Sequence, residues 1–339
     1  MTVAVDDTLL EVDDLAVHFP LPPPRPFARA ATVRAVDGVS FRIRRGRTFG
    51  IVGESGSGKT TTAQAVMGLV GKTRGTVRFD GREREGLPAA EQRRYRRGYQ
   101  MIFQDPFSSL NPRLRVDQLV REPLDLMEVG DPSERAERAA RMLDAVGLRA
   151  DQHQLFPHQF SGGQRQRISI ARALASNPQL VVCDEPVSAL DVAIQAQILN
   201  LLARLQDELS LTYLFISHDL HVVRYLCDDI AVMYLGRIVE QTRADTILHA
   251  PLHPYTWALV SAIPGRALQA GGPGRVVLRG DPPSPTRVPE GCRFAARCPF
   301  AEERCRTSEP ALRDMPGERR VACHLVTDDG VGPQHRSGA

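Results

Sequence analysis

Apolar and polar residues alternate over residues 9–19 and again over 35–43, the period of a half-buried β-strand. The segment between them, PLPPPRPFARAATVR, is rich in proline, which removes ladder hydrogen bonds, and reads as a loop at a hairpin tip. Residues 48–52 predict a third strand, which runs into a glycine-rich stretch at 53–60 and then a helix reaching about Leu69. Further on, 180–183 and 213–217 are short apolar runs suited to buried parallel strands, and helix-like stretches at 193–209 and 220–226 follow them. Strands alternating with helices predict an α/β core. The region 113–175 is mostly helical in pattern and predicts a helical subdomain. Its best-marked helix covers 131–147: Asp131 caps, Pro132 suits the first turn and Glu134 completes a capping box. Ala136, Ala140, Leu143 and Val146 form its predicted apolar face, and Gly147 ends it.

Composition narrows the class. A chain of 339 residues, 42% hydrophobic and 24% charged, has ample material for a core and predicts about two domains. Wholesale disorder and a small disulfide-stapled scaffold are excluded. No apolar run approaches the ~18 residues of a membrane helix. The acidic start, MTVAVDDTLLEVDD, lacks the basic-then-apolar order of a secretory signal. The expectation is a cytoplasmic chain, peripheral if it works at a membrane. With 43 basic and 40 acidic residues, net charge gives no case for nucleic acid. The basic run Arg93–Arg97 reads as a solvated face. Only two basic residues are lysines, Lys59 and Lys72, so a lysine inside a glycine-rich loop is a local signal. Past about residue 245 the character changes: 250–291 is rich in proline and glycine, and four of the six cysteines fall between 292 and 323. The tail at 327–339 is polar and expected to be disordered.

Gly53, Glu54, Ser55, Gly56, Ser57, Gly58, Lys59 and Thr60, with Thr61 behind them, match G-x-x-x-x-G-K-[ST]. Glycines let backbone N–H groups turn inward around phosphate oxygens, and the following helix points its positive end at the same anion. Lys59 would reach the β- and γ-phosphates, and Thr60 would ligate Mg²⁺. The competing reading is a flexible turn before a helix, which the flanking strand and helix disfavour. At the end of the run 180–183 come Asp184 and Glu185, delivered to the carboxyl end of a buried strand, where α/β sheets bind ligands. Asp184 suits Mg²⁺, and Glu185 suits polarising an attacking water.

Ser161-Gly162-Gly163-Gln164 precedes Asp184-Glu185-Pro186; Ser188-Ala-Leu-Asp191 and Ser217-His218-Asp219 follow. This ordered set resembles the ATP-binding subunit of an ABC transporter, over about residues 9–245. The resemblance implies a P-loop NTPase (RecA-like) core with an N-terminal antiparallel β-subdomain and an inserted helical subdomain at about 113–175. It implies that Ser161, Gly162, Gly163 and Gln164 close over a partner's ATP, so that hydrolysis requires a head-to-tail dimer. It implies that Gln104 joins Thr60 and Asp184 at Mg²⁺, that Asp191 faces the partner, and that His218 contacts the γ-phosphate and Glu185. Phe19 is the residue chosen to stack adenine; the alternative is an ordinary strand aromatic.

A closer resemblance, through about residue 325, is to the oligopeptide/dipeptide/nickel importer branch. Gln104-Asp-Pro-Phe-Ser-Ser-Leu-Asn-Pro112, Pro251-Leu-His-Pro-Tyr255 and the cysteine-bearing extension carry it. The segment Pro157–Ser161 and the proline-rich insertion are more similar to the second of that branch's two ATPases. Cys292, Cys298, Cys305 and Cys323 have spacing C-x5-C-x6-C-x17-C. Four thiolates suit tetrahedral zinc or a [4Fe–4S] cluster, and spacing leaves the metal open; the branch places an iron–sulfur cluster there. Arg293, Arg297, Arg304, Arg306, Arg319 and Arg320 are expected to offset its charge. Two disulfides or free thiols are the bland alternative, and Cys183 and Cys227 read as inert packing.

The expected organisation is an ABC nucleotide-binding domain at 1–245, a peptide-importer-type extension at 246–326 and the tail. The expected function is ATP hydrolysis powering import of peptides or a related small solute. The expected partners are a second ABC ATPase, two transmembrane permeases and an extracytoplasmic binding protein, at the cytoplasmic face of the cell membrane. The competing reading is a soluble ABC-type ATPase of translation or DNA repair; an exporter ATPase and a non-hydrolysing scaffold are weaker.

Overall fold

The computed structural model describes residues 7–23, 31–263, 278 and 280–335. The middle of the proline-rich insertion, most of the stretch just past residue 263 and the last four residues of the expected tail lie outside these. The strands, in chain order, are β1 (Thr8–Pro20), β2 (Thr32–Arg44), β3 (Thr48–Val52), β4 (Arg74–Phe79), β5 (Arg82–Glu83), β6 (Tyr99–Ile102), β7 (Leu180–Asp184), β8 (Thr212–Ser217), β9 (Asp229–Tyr234), β10 (Arg237–Arg243), β11 (Arg313–Met315) and β12 (Arg319–Val321). At 13 residues each, β1 and β2 outrun their alternating stretches, because their terminal residues are largely solvent-exposed and show no apolar period. The chain divides into two compact units.

Unit one comprises Met1–Glu11, Arg42–Thr48 and Val77–Ile216. Within it β6, β7 and β8 run parallel, Ile102 of β6 pairing with Cys183 of β7, and Asp184 of β7 with Ile216 of β8. Every residue of β7 and β8 is buried, which explains their continuous apolar runs. The helices Val116–Leu126, Pro132–Ala145 and Gly162–Leu174 pack on one another. Asp131 accepts from the Ser133 and Glu134 N–H groups at 2.9 Å, and Glu134 accepts from the Asp131 N–H at 3.2 Å, the predicted capping box. The buried face of that helix is Ala139, Leu143 and Val146; Ala136 is exposed. The expected face is thus displaced, because alanine alone does not say which way a helix turns when its neighbours do.

Unit two comprises Val12–Phe41, Phe49–Thr76 and Ser217–Ala339. β3 is fully buried and pairs parallel with β9, Val52 opposite Val232. β9 pairs antiparallel with β10, whose Glu240 lies opposite Val321 of β12, and β12 pairs with β11. Gly50 sits where a Cβ would stand 2.3 Å from Val223 Cγ1 and 2.9 Å from Cys227 Sγ, so the helix Leu220–Leu226 comes close to β3. A second apolar cluster, with Leu252, Val321, Leu325 and Val326 at its centre, holds the C-terminal part. Fully buried Glu240 accepts from the Leu252 and His253 N–H groups at 2.9 and 2.8 Å and pairs with Arg319 at 3.2 Å. Burial raises its pKa against those partners. Within the expected tail, the Thr327 N–H donates to Val331 O at 3.1 Å, and Gln334 Nε2 donates to Pro251 O at 2.6 Å. Among the described residues, no helix is long and apolar enough to cross a membrane.

Candidate active site

The glycine-rich loop leaves β3 in unit two and enters the helix Lys59–Met67, whose N-terminus has no side-chain cap. Uncapped first-turn N–H groups are donors for an anion. A Cβ on Gly53 would lie 2.2 Å from Met233 O, and one on Gly58 2.2 Å from Ala35 O, at φ +102°. The loop is therefore pressed against the backbone of its neighbours, which only glycine permits at these two places. Lys59 is buried, and its Nζ donates to Gly53 O at 2.8 Å and Glu54 O at 2.9 Å. Its ammonium thus folds over the inside of the loop. Ser57 is buried, Thr60 and Thr61 are half-buried, and Ser55 and Gly56 are exposed at the tip. His218 is exposed between β8 and the helix Leu220–Leu226, and Phe19 is 39% exposed near the end of β1.

In unit one, Asp184 is buried as the last residue of β7. Glu185 follows at φ +46°, a region unusual for a side chain of this kind. Its N–H donates to Ile216 O at 3.0 Å, which ties the turn to β8. Gln104 Nε2 donates to Glu185 Oε2 at 3.1 Å. Two predicted site residues 81 positions apart therefore meet. Ser161 caps the helix Gly162–Leu174 in a capping box with Gln164, at 3.4 and 3.0 Å. A Cβ on Gly163 would stand 2.6 Å from Ile194 Cγ2, so the signature glycine also admits a neighbouring helix. Asp191 is exposed and caps the helix Val192–Leu209, accepting from the Ile194 N–H at 3.0 Å.

The four C-terminal cysteines gather in unit two. Cys305 and Cys323 belong to the apolar cluster and Cys292 packs against it; the Cys292 N–H donates to Cys305 O at 2.8 Å. Burial pushes the Cys292 thiol up to about 11 and Cys298 up to about 12, and neighbouring cysteines add to both shifts. Burial also raises Cys323. Four soft thiols are the right donors for zinc or iron, yet among the described residues no three His, Cys, Asp or Glu side chains stand so as to hold a metal ion. All six cysteines are free thiols. Cys183 is buried, which raises its pKa, and it packs as expected of an inert thiol.

The arginines around the cysteines do something the sequence did not suggest. Arg293 is paired with Asp37 and Glu309, Arg297 with Glu54, and Arg319 with Glu240. They are committed to carboxylates rather than held in reserve for a cluster's charge. Tyr255, the last residue of the Pro251–Tyr255 segment, accepts from the Glu54 N–H at 2.8 Å. Partners more than 200 residues apart leave no signal in spacing.

The ABC transporter family profile matches residues 36–188, and that of the oligopeptide/dipeptide transporter C-terminal region matches 239–305. The oligopeptide transport ATP-binding protein AppF of Bacillus subtilis is 46% identical over 329 residues, covering 96% of this chain and 100% of that one. A Brucella ovis protein named for peptide import ATP binding is 50% identical over 315 residues, 93% of this chain and 97% of its own. Among solved structures, the dimeric ATP-binding cassette MJ0796 in a post-hydrolysis state with ADP and Pi is 29% identical, with TM-score 0.61. It covers 69% of this chain and 98% of its own. Both ends of the molecule, the phosphate loop and the C-terminal region, thus point one way, and the chain belongs to the ABC transporter ATP-binding proteins of the oligopeptide/dipeptide branch.

Proposed function

We propose that this chain is the ATP-hydrolysing subunit of a peptide importer, the second of the branch's two ATPases. The observation that carries the ATPase reading is the loop 53–60: a buried lysine folded over glycine-permitted backbone at an uncapped helix N-terminus. Such a loop cradles a polyphosphate. Glu185 accepts the proton of the attacking water, and its contact with Gln104 supports that role by holding the carboxylate in place. Thr60, Asp184 and Gln104 hold Mg²⁺, His218 contacts the γ-phosphate, and Phe19 stacks the adenine. Ser161, Gly162, Gly163 and Gln164 present the capped start of their helix to the ATP of a partner ATPase, with Asp191 facing that partner. The proposed assembly is a heterodimer under two permeases at the cytoplasmic face of the cell membrane, supplied by an extracytoplasmic binding protein. The domain limits proposed are 1–245 and 246–326.

For the extension we propose a structural iron–sulfur centre at Cys292, Cys298, Cys305 and Cys323 on the branch resemblance alone, since the thiols as they stand do not form a metal site. A metal would fix a segment with little core of its own. Iron and sulfide bound to the anaerobically purified chain, and lost in Cys305→Ser, is the expected result; a metal-free wild type would overturn it.

The ATPase reading is tested by turnover in the reconstituted transporter. Glu185→Gln should still bind ATP but lose about 10²–10⁴ in rate. Lys59→Ala should lose ATP affinity. Near-normal turnover in the first would remove Glu185 as the base, and unchanged ATP binding in the second would remove the loop.

A further inference from the structure

The turn 292–298 carries two cysteines at its ends and two arginines, Arg293 and Arg297, almost wholly buried at 4% and 8% side-chain exposure. Arg297 grips Glu54 with both terminal nitrogens, Nη1 on Oε2 at 2.7 Å and Nη2 on Oε1 at 3.2 Å. Glu54 is the second residue of the phosphate loop. Its N–H donates to the Tyr255 hydroxyl at 2.8 Å, and its carbonyl accepts from Lys59 Nζ at 2.9 Å. One residue therefore joins the loop lysine to the C-terminal region through three separate contacts. Tyr255 is itself fully buried between Tyr234 and Phe294, at ring-centroid distances of 4.7 and 5.4 Å. Arg293 makes a parallel connection: it pairs with Asp37, whose other oxygen lies 2.9 Å from His18 Nε2, next to Phe19.

A phosphate loop needs its glycines and its lysine; it needs neither a carboxylate at this position nor a guanidinium on it. A bare carboxylate on the rim of a polyphosphate site repels the ligand, and in partly buried surroundings that repulsion is poorly screened. A bidentate guanidinium cancels the charge and fixes the direction of the side chain that bears it. The Glu54 peptide, held from outside by Arg297 and Tyr255, in turn fixes one carbonyl on which the Lys59 ammonium rests. Holding the loop in this way before the nucleotide arrives lowers the ordering cost of binding.

We propose that the turn 292–298 is a brace of the phosphate loop, in which Arg297 and Tyr255 are positioning residues that set ATP affinity through Glu54. This rests on the ATP reading of the loop. The test is titration of the full-length chain with the fluorescent analogue mant-ATP, and with mant-ADP for comparison. Arg297→Met should weaken mant-ATP about five- to tenfold, and mant-ADP less, because ADP carries less charge. Glu54→Gln, which loses the same grip but leaves no unpaired carboxylate, should weaken mant-ATP less than Arg297→Met does, and Glu54→Gln/Arg297→Met should recover to within about twofold of Glu54→Gln. That rescue is not expected of an arginine that only holds up the fold. If Arg297→Met does not fold, the double variant and Tyr255→Phe, which keeps the ring, carry the test; Tyr255→Phe should weaken mant-ATP about threefold. Wild-type affinity in Arg297→Met or in Tyr255→Phe, or a double variant as weak as a folded Arg297→Met, would overturn the brace. A wild-type chain that does not bind mant-ATP would overturn the ATP reading and the brace with it.

Discussion

Gly58 has φ +102° and would bring a Cβ within 2.2 Å of Ala35 O, a backbone atom that cannot swing aside. Gly58→Ala should therefore cost about 1–3 kcal/mol or more, read as a lower urea midpoint, whereas a wild-type midpoint would mean that the loop relaxes freely. The two glycines of the loop that touch backbone are the ones where chemistry and sterics coincide. Lys59 illustrates the same point from the side of charge: it is buried, and two loop carbonyls accept from it. Its rarity in the chain singled it out, and the fold shows where its ammonium rests. Glu185 was legible as the residue after an apolar run, but its left-handed backbone was not. That conformation follows from the Glu185 N–H bonding back to β8 while the Glu185 carbonyl receives the Ser188 N–H.

At the scale of elements, the short helix Pro254–Ser261 begins on His253, whose Nδ1 accepts from the Tyr255 N–H at 3.0 Å. Burial lowers the His253 pKa from 6.5 to about 3, so the ring is neutral in the fold. In the unfolded chain the same ring takes up a proton below about pH 6.5. The contribution of His253 is thus complete above that pH and declines as pH falls from there toward the folded value. Urea midpoints measured from about pH 7 down to 5 should fall less steeply in His253→Asn, which keeps a capping acceptor; equal slopes would show that His253 does not set the pH dependence. Helices with strong local signals were readable in advance. Leu220–Leu226 was predicted without error, and Pro132–Ala145 nearly so, because caps and periodicity are local properties. Of the face that the second one buries, Leu143 and Val146 were readable and Ala139 was not, since packing partners choose how the helix turns.

For the whole molecule, the family assignment places the chain in a membrane-linked assembly although none of its described helices crosses a membrane. Affinity purification of the tagged chain from gently solubilised membranes should bring down two permeases and a second ATPase, identified by mass spectrometry. A purely soluble particle, or ribosomes, would count against the importer while leaving the ATPase chemistry intact.

The sequence by itself determined the kind of chemistry, because it is written in contiguous motifs: a phosphate loop, an acidic pair behind a buried strand, a Ser-Gly-Gly-Gln signature and a histidine after the next strand. Backbone and side-chain groups within a few residues suffice to state what such motifs bind. The alternation of apolar runs with helices likewise announced the α/β class. What only the tertiary structure decided is how the motifs are held. Gln104 meets Glu185 across 81 residues, and Arg297 and Tyr255 reach Glu54 across 243 and 201. Three of the arginines that looked like a halo for the cysteines, Arg293, Arg297 and Arg319, turn out to be spent on carboxylates far away in the chain. Burial makes such pairings strong and specific, and it is a property of the folded chain that no spacing along the sequence expresses.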